Sequence, residues 1–159
     1  MEYFISEKHE SIFFILIGLA AVFLSILIHL RFTTYRGMAI PLVLIALIQI
    51  AVGSTVYFRT DSQVEKLELK LKNETHVYKN EEAKRMNVVL NNFTIYKIIE
   101  IILLCAGIII TFIYKKNDLI YSAGIGLILQ PTIMIVFDLL AEKRAAIYLD
   151  QIQSLLKYF

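Results

Sequence analysis

Apolar side chains are gathered into four runs, at about residues 11–30, 39–58, 94–114 and 119–141. Each is close to the ~20 residues with which an α-helix crosses a ~30 Å hydrocarbon core. Polar positions inside the runs recur at helical spacing, so each run has one marked face. In the first, Ser11, Gly18, Ser25 and Phe32 recur every seven residues, with Ala21 beside them. Small residues on one face let helix backbones approach closely in lipid. In the second, Pro41 falls in the first turn, where its missing N–H does no harm. Gln49, Gly53, Val56, Tyr57 and Thr60 then share one side, and Gln49 is expected to hydrogen-bond another helix at mid-span. The third carries Tyr96, Lys97, Glu100, Leu104, Gly107, Thr111 and Tyr114 on one side, with Ile and Leu between them. The fourth holds Gly124, Gly126, Gln130, Pro131 and Asp138 and is followed directly by Glu142, Lys143 and Arg144.

Between the runs the pattern changes. Arg31 to Met38 and Lys115 to Asp118 are short and basic, whereas residues 60–92 are hydrophilic. Asp61 or Ser62 can cap a helix with Val64, Leu67 and Leu71 on one face and a Glu68/Lys72 pair outside. A turn is expected over Asn73 to Asn80. A second helix is expected after it, with Ala83, Met86, Leu90 and Phe93 on one face and a Glu81/Arg85 pair outside. That apolar stripe is either the seam of a hairpin or a partner surface. The tail, residues 142–159, keeps Ile147, Leu149, Ile152, Leu155 and Leu156 at helical spacing. It predicts an amphipathic helix leaving the membrane or lying along it. The predicted fold is an all-α integral membrane protein. It is a bundle of four transmembrane helices with an extramembrane helical hairpin between the second and third and continuous with them, since nothing in it breaks the helix before the third span, forming one membrane domain over residues 1–159.

Composition narrows the function classes. The chain has 159 residues, 58% of them hydrophobic. Four spans leave about half of it for loops and ends, too little for a separate catalytic domain. A net charge of +2 argues against nucleic acid as a partner. The single cysteine, Cys105, permits no disulfide within one chain, has no CxxC partner and reads as a small core residue. Met1 to Glu10 lacks a basic n-region, so the first span is expected to be retained. The Ile, Lys and Asn content suggests a bacterial source and hence an inner, cytoplasmic membrane. The distribution of Lys and Arg is divided. The raw count favours the hairpin side as cytoplasmic, whereas Arg31, Arg36, Lys115 and Lys116 crowd the short turns. The acidic N-terminal stretch tips the expectation towards both termini and the hairpin outside.

Counting crossings gives the candidate chemistry. Four spans put both ends of the chain and residues 60–92 at one face, so Glu100 and Asp138 fall in the same leaflet. At 1.5 Å per residue Glu100 lies roughly 7–10 Å below the start of its span. Arg59, Lys97, Arg144, His9 and Tyr96 belong to the same level, with Glu10 and Glu142 nearby. Three readings follow. The cluster is a structural lock, with Arg59 or Lys97 paired to Glu100 and Arg144 to Asp138. Or it binds a lipid headgroup, a cation or a partner side chain. Or its carboxylates are catalytic. No HExxH, DxxD or CxxC motif occurs, no metal ligand set is evident and no cofactor is expected. His9 and His29 are expected at opposite membrane faces, which argues against a bis-histidine haem. At mid-span only Gln49, Thr111, Gln130 and Ser25 are polar, too few for one chain to line a wet pore.

The expected function is therefore non-enzymatic binding of a protein partner or lipid through the hairpin, the polar end and the tail. This would be an accessory, inhibitor or immunity-type role. The alternatives are a small homo-oligomeric channel or ion carrier using Glu100 and Asp138, and an intramembrane lipid-acting enzyme using the same carboxylates.

Overall fold

The computed structural model describes the backbone of residues 2–73 and 75–157 and the side chains of residues 3–69 and 80–154. The described residues form four α-helices: α1 (Glu2–Arg31), α2 (Ala39–Asn73), α3 (Thr75–Ile113) and α4 (Asp118–Lys157). A 3-10 turn, Thr33–Met38, joins α1 to α2. All four helices are long and apolar enough to cross a membrane. They are also longer than a crossing requires. At 1.5 Å per residue the 39 residues of α3 extend about 58 Å, nearly twice the hydrocarbon thickness. The surplus of α2, α3 and α4 lies at one end of the bundle.

The sequence explains why the helices do not stop at the edge of their apolar runs. No glycine or proline occurs between Gly53 and Gly107, so nothing interrupts the backbone from α2 outward or back along α3. This corrects one expected boundary. α3 begins at Thr75 rather than after Asn80, because residues 75–80 contain no helix breaker. Glu2 to Glu10 form the first turns of α1. Residues 142–157 continue α4. Leu71, Lys72, Leu155 and Leu156, to which the sequence pattern assigns roles, lie outside the described side chains. The turn before α4 is closed locally. The Asn117 side-chain oxygen accepts from the Ile120 N–H at 3.2 Å, an N-cap, and Asp118 sits in the first turn, where the helix dipole favours a carboxylate.

Small residues set the helix spacing. A Cβ on Gly53 would lie 3.0 Å from the Ser11 carbonyl oxygen, and one on Gly107 would lie 2.8 Å from that of Gly124. So α1 pairs with α2, and α3 with α4, at close backbone approach. The Gly37 position is tighter still, because a Cβ there would fall 1.8 Å from the Leu119 carbonyl oxygen. The turn between α1 and α2 is thereby pressed against the start of α4. Ser11, Gly18, Ala21 and Ser25 of the predicted face are buried, and the Ser25 hydroxyl donates to the Ala39 carbonyl at 3.1 Å. Phe32, the last of the heptad series, is exposed, since the helix ends at Arg31. The outer side of α3, with Ile98, Ile101, Ile102, Ile109 and Phe112, is exposed and apolar.

At the polar end the packing changes character. Met86, Ala145, Leu149 and Ile152 form a buried apolar cluster, with Ala83, Leu90 and Phe93 against it. The stripe of the second hairpin helix is thus a seam with the outer part of α4.

Candidate functional site between helices three and four

Lys97 and Glu100 are three residues apart on α3, and Asp138 and Glu142 are four apart on α4. Each pair therefore shares a helix face. The two helices run antiparallel, which matches the four groups in two layers. In the outer layer the Lys97 Nζ meets the Glu142 Oε2 at 2.5 Å. One turn deeper, the Glu100 and Asp138 carboxyl groups adjoin each other. Glu100 is 3% exposed and Asp138 9%. No N–H or hydroxyl of the described residues donates to either Glu100 oxygen, so the contact open to them is the neighbouring Asp138 carboxyl, which needs a proton between the two groups. Isolated buried carboxylates are costly, and an uncompensated like-charged pair more so. The nearest cation on the seam, Lys97, is already engaged by Glu142. The inner layer is therefore two acidic groups with room in their chemistry for one positive charge.

The remaining predicted residues divide. Arg59 lies 3.6 Å from Glu7, Arg144 is paired with Glu10, and Lys8 pairs with Asp61 at 2.6 Å. The expected pairing of Arg59 or Lys97 with Glu100, and of Arg144 with Asp138, does not form. The reason is the helical start of α1, which carries Glu7 and Glu10 to both arginines. His9 is exposed on α1, and Tyr96 is exposed with its ring edge-on to Phe93 at 6.5 Å. Neither joins Glu100. No group of three His, Cys, Asp or Glu side chains able to hold a metal occurs among the described residues. Cys105 is exposed on α3 rather than in the core, because it lies off the small-residue seam.

The mid-span polar residues belong to two different seams. The Gln130 Nε2 donates to the Gln49 Oε1 at 2.7 Å between α4 and α2, and both side chains are fully buried. The Gln49 amide nitrogen has no partner among the described residues. Thr111 donates to the Ile108 carbonyl at 2.7 Å, while its methyl faces Gly124 between α3 and α4.

One polar cluster escapes the sequence reading. Glu82 is 2% exposed, accepts from Arg85 at 2.6 and 2.8 Å and accepts from the Tyr148 hydroxyl at 3.2 Å. Tyr148 stacks on Tyr3 at 4.5 Å, and the Arg85 guanidinium lies 5.8 Å from the Phe4 ring centre. The expected outward Glu81/Arg85 pair is replaced by an inward Glu82–Arg85 pair. The available signal was the spacing of Glu82, Met86, Val89 and Phe93, which puts Glu82 on the same stripe as the apolar residues.

No protein-family model matches the chain, and no curated protein or solved structure matches it either.

Proposed function

We propose that the Glu100–Asp138 pair binds and releases a proton or a monovalent cation within the membrane, and that the protein works as a small ion carrier or ion-coupled element. The observation that supports this reading is the buried Glu100 carboxyl, which has no N–H or hydroxyl donor among the described residues while a second carboxyl adjoins it. Two carboxyl groups in contact cannot both stay ionised without a counter-charge. A shared proton or a small cation supplies one. A divalent metal would want more oxygen ligands than this pair offers.

A carrier is favoured over a pore. Gln49 is bonded to Gln130 inside one chain, so a ring of Gln49 side chains in an oligomer would have to break that bond. Binding of a protein partner through the hairpin has less support, because the apolar stripe that would serve it faces α4. The charges flanking the short turns favour the hairpin and both termini on the outer side of a bacterial cytoplasmic membrane.

The test is flux of protons, sodium and potassium into proteoliposomes. Flux above that of empty liposomes, abolished by Glu100→Gln or Asp138→Asn in folded protein, is expected. Flux equal to empty liposomes for all three ions would remove the carrier reading.

A further inference from the structure

Between α3 and α4 lies an open groove of about 690 Å³ lined by Leu90, Asn91, Thr94, Leu139, Glu142, Lys143 and Ala146, with neither Glu100 nor Asp138 in its lining. We infer that this groove holds an anionic phospholipid, its phosphate on Lys143 and Asn91 and its acyl chain along Leu139.

Three observations carry the assignment. The first is position. Leu139 belongs to the apolar run of α4, and Lys143 follows one turn later, past its end. The groove therefore straddles the level at which hydrocarbon gives way to headgroups. The second is charge. Glu142 is neutralised by Lys97 at 2.5 Å, whereas Lys143 is exposed and has no ion pair among the described residues. The groove thus offers one uncommitted cation and no uncommitted acid. A phosphate is served by that arrangement. The ammonium of a zwitterionic headgroup finds no free carboxylate in the lining of the groove, so a lipid with net negative charge fits better. The third is shape and chemistry together. The polar side chains Asn91, Thr94 and Lys143 sit beside Leu139, so a single amphipathic molecule satisfies both halves. A free phosphate leaves the apolar part uncovered, and a helix from another protein would meet a polar centre.

The experiment is native mass spectrometry of the full chain, released from mixed micelles containing phosphatidylglycerol, phosphatidylethanolamine and phosphatidylcholine in equal amounts. Preferential retention of phosphatidylglycerol is expected, reduced about tenfold by Lys143→Gln, the loss of one charge-assisted contact. Lys143→Arg should keep it. Lys116→Gln, in the basic turn at the opposite end, should leave it unchanged. Lys143 is exposed, and the thermal melt of each variant verifies folding. Retention unchanged in Lys143→Gln, or lowered equally by Lys116→Gln, overturns the assignment. So does a phosphate adduct that replaces lipid when inorganic phosphate is added. None of these outcomes depends on ion flux, so the groove stands or falls apart from the carrier reading.

Discussion

Glu100 is buried beside Asp138 with no N–H or hydroxyl donor to either of its oxygens, and the consequence for stability is direct. With a shared proton the pair carries one negative charge; the uncharged isostere keeps that count and supplies a permanent amide donor for Asp138. Glu100→Gln should therefore raise stability, by about 1–2 kcal/mol, read as a higher melting temperature in detergent. A lower melting temperature would favour a bound cation, which the glutamine loses, over the shared proton. Lys97 should behave in the opposite way. Lys97→Ala strips Glu142 of its partner, and its cost should shrink when Glu142→Gln is added, the sign of a direct interaction in a double-mutant cycle. Gln49 tests the other mid-span contact. Gln49→Leu should cost about 1 kcal/mol, and the pair Gln49→Leu with Gln130→Leu less than the two single losses combined.

At the scale of elements, backbone approach at the glycines decides how the helices pair. Gly107 and Gly124 bring α3 and α4 together so closely that a Cβ at Gly107 would press on the Gly124 carbonyl. Gly107→Val should separate these helices and lower stability by about 1–3 kcal/mol. Ile109→Val, on the exposed side of the same helix, should change it little. Because Lys97, Glu100, Asp138 and Glu142 are positioned by this seam, Gly107→Val should also disturb ion flux without touching a carboxyl. Equal melting temperatures for the two variants would show that the seam tolerates a wider spacing.

For the whole molecule, residues from all four helices meet at one end. Lys8 with Asp61, Arg144 with Glu10, and Tyr3 on Tyr148 join α1 to α2 and α4. Glu82 and Arg85 pair at the same end, and Glu82→Ala would strip the partly buried guanidinium of the carboxylate bonded to it. It should cost about 2–3 kcal/mol, measured by thermal unfolding. The single cysteine offers a check on the crossing pattern. Cys105, exposed midway along the apolar run of α3, should resist a membrane-impermeant maleimide until the protein is unfolded in detergent, because a thiol in hydrocarbon keeps its proton and only the thiolate reacts. With Cys105 replaced by Ser, cysteines at His9 and Glu81 should label from one face of the membrane and one at Lys116 from the other.

Four helices long and apolar enough to cross a membrane, and the common level of Glu100 and Asp138 along α3 and α4, were legible in the chain. They depend on run length and helical period, which are local properties. The continuity of α2 and α3 beyond their apolar runs was legible too, since no Gly or Pro breaks it, but that absence does not mark where the helices end. The partners of the charges were not legible. Arg59 and Arg144 had several acids within plausible reach. Glu7 and Glu10 took them only because α1 starts as a helix and packs against α2 and α4. Glu82 went inward, and Glu81 did not, for the same kind of reason, since only the seam with α4 defines which side is inside. Sequence by itself determined the elements and the apolar length of each, because hydrophobic length is written along one chain. Tertiary structure alone decided which charges meet, because pairing depends on distances between helices. That is how Glu100 and Asp138 came to face each other without a countercharge.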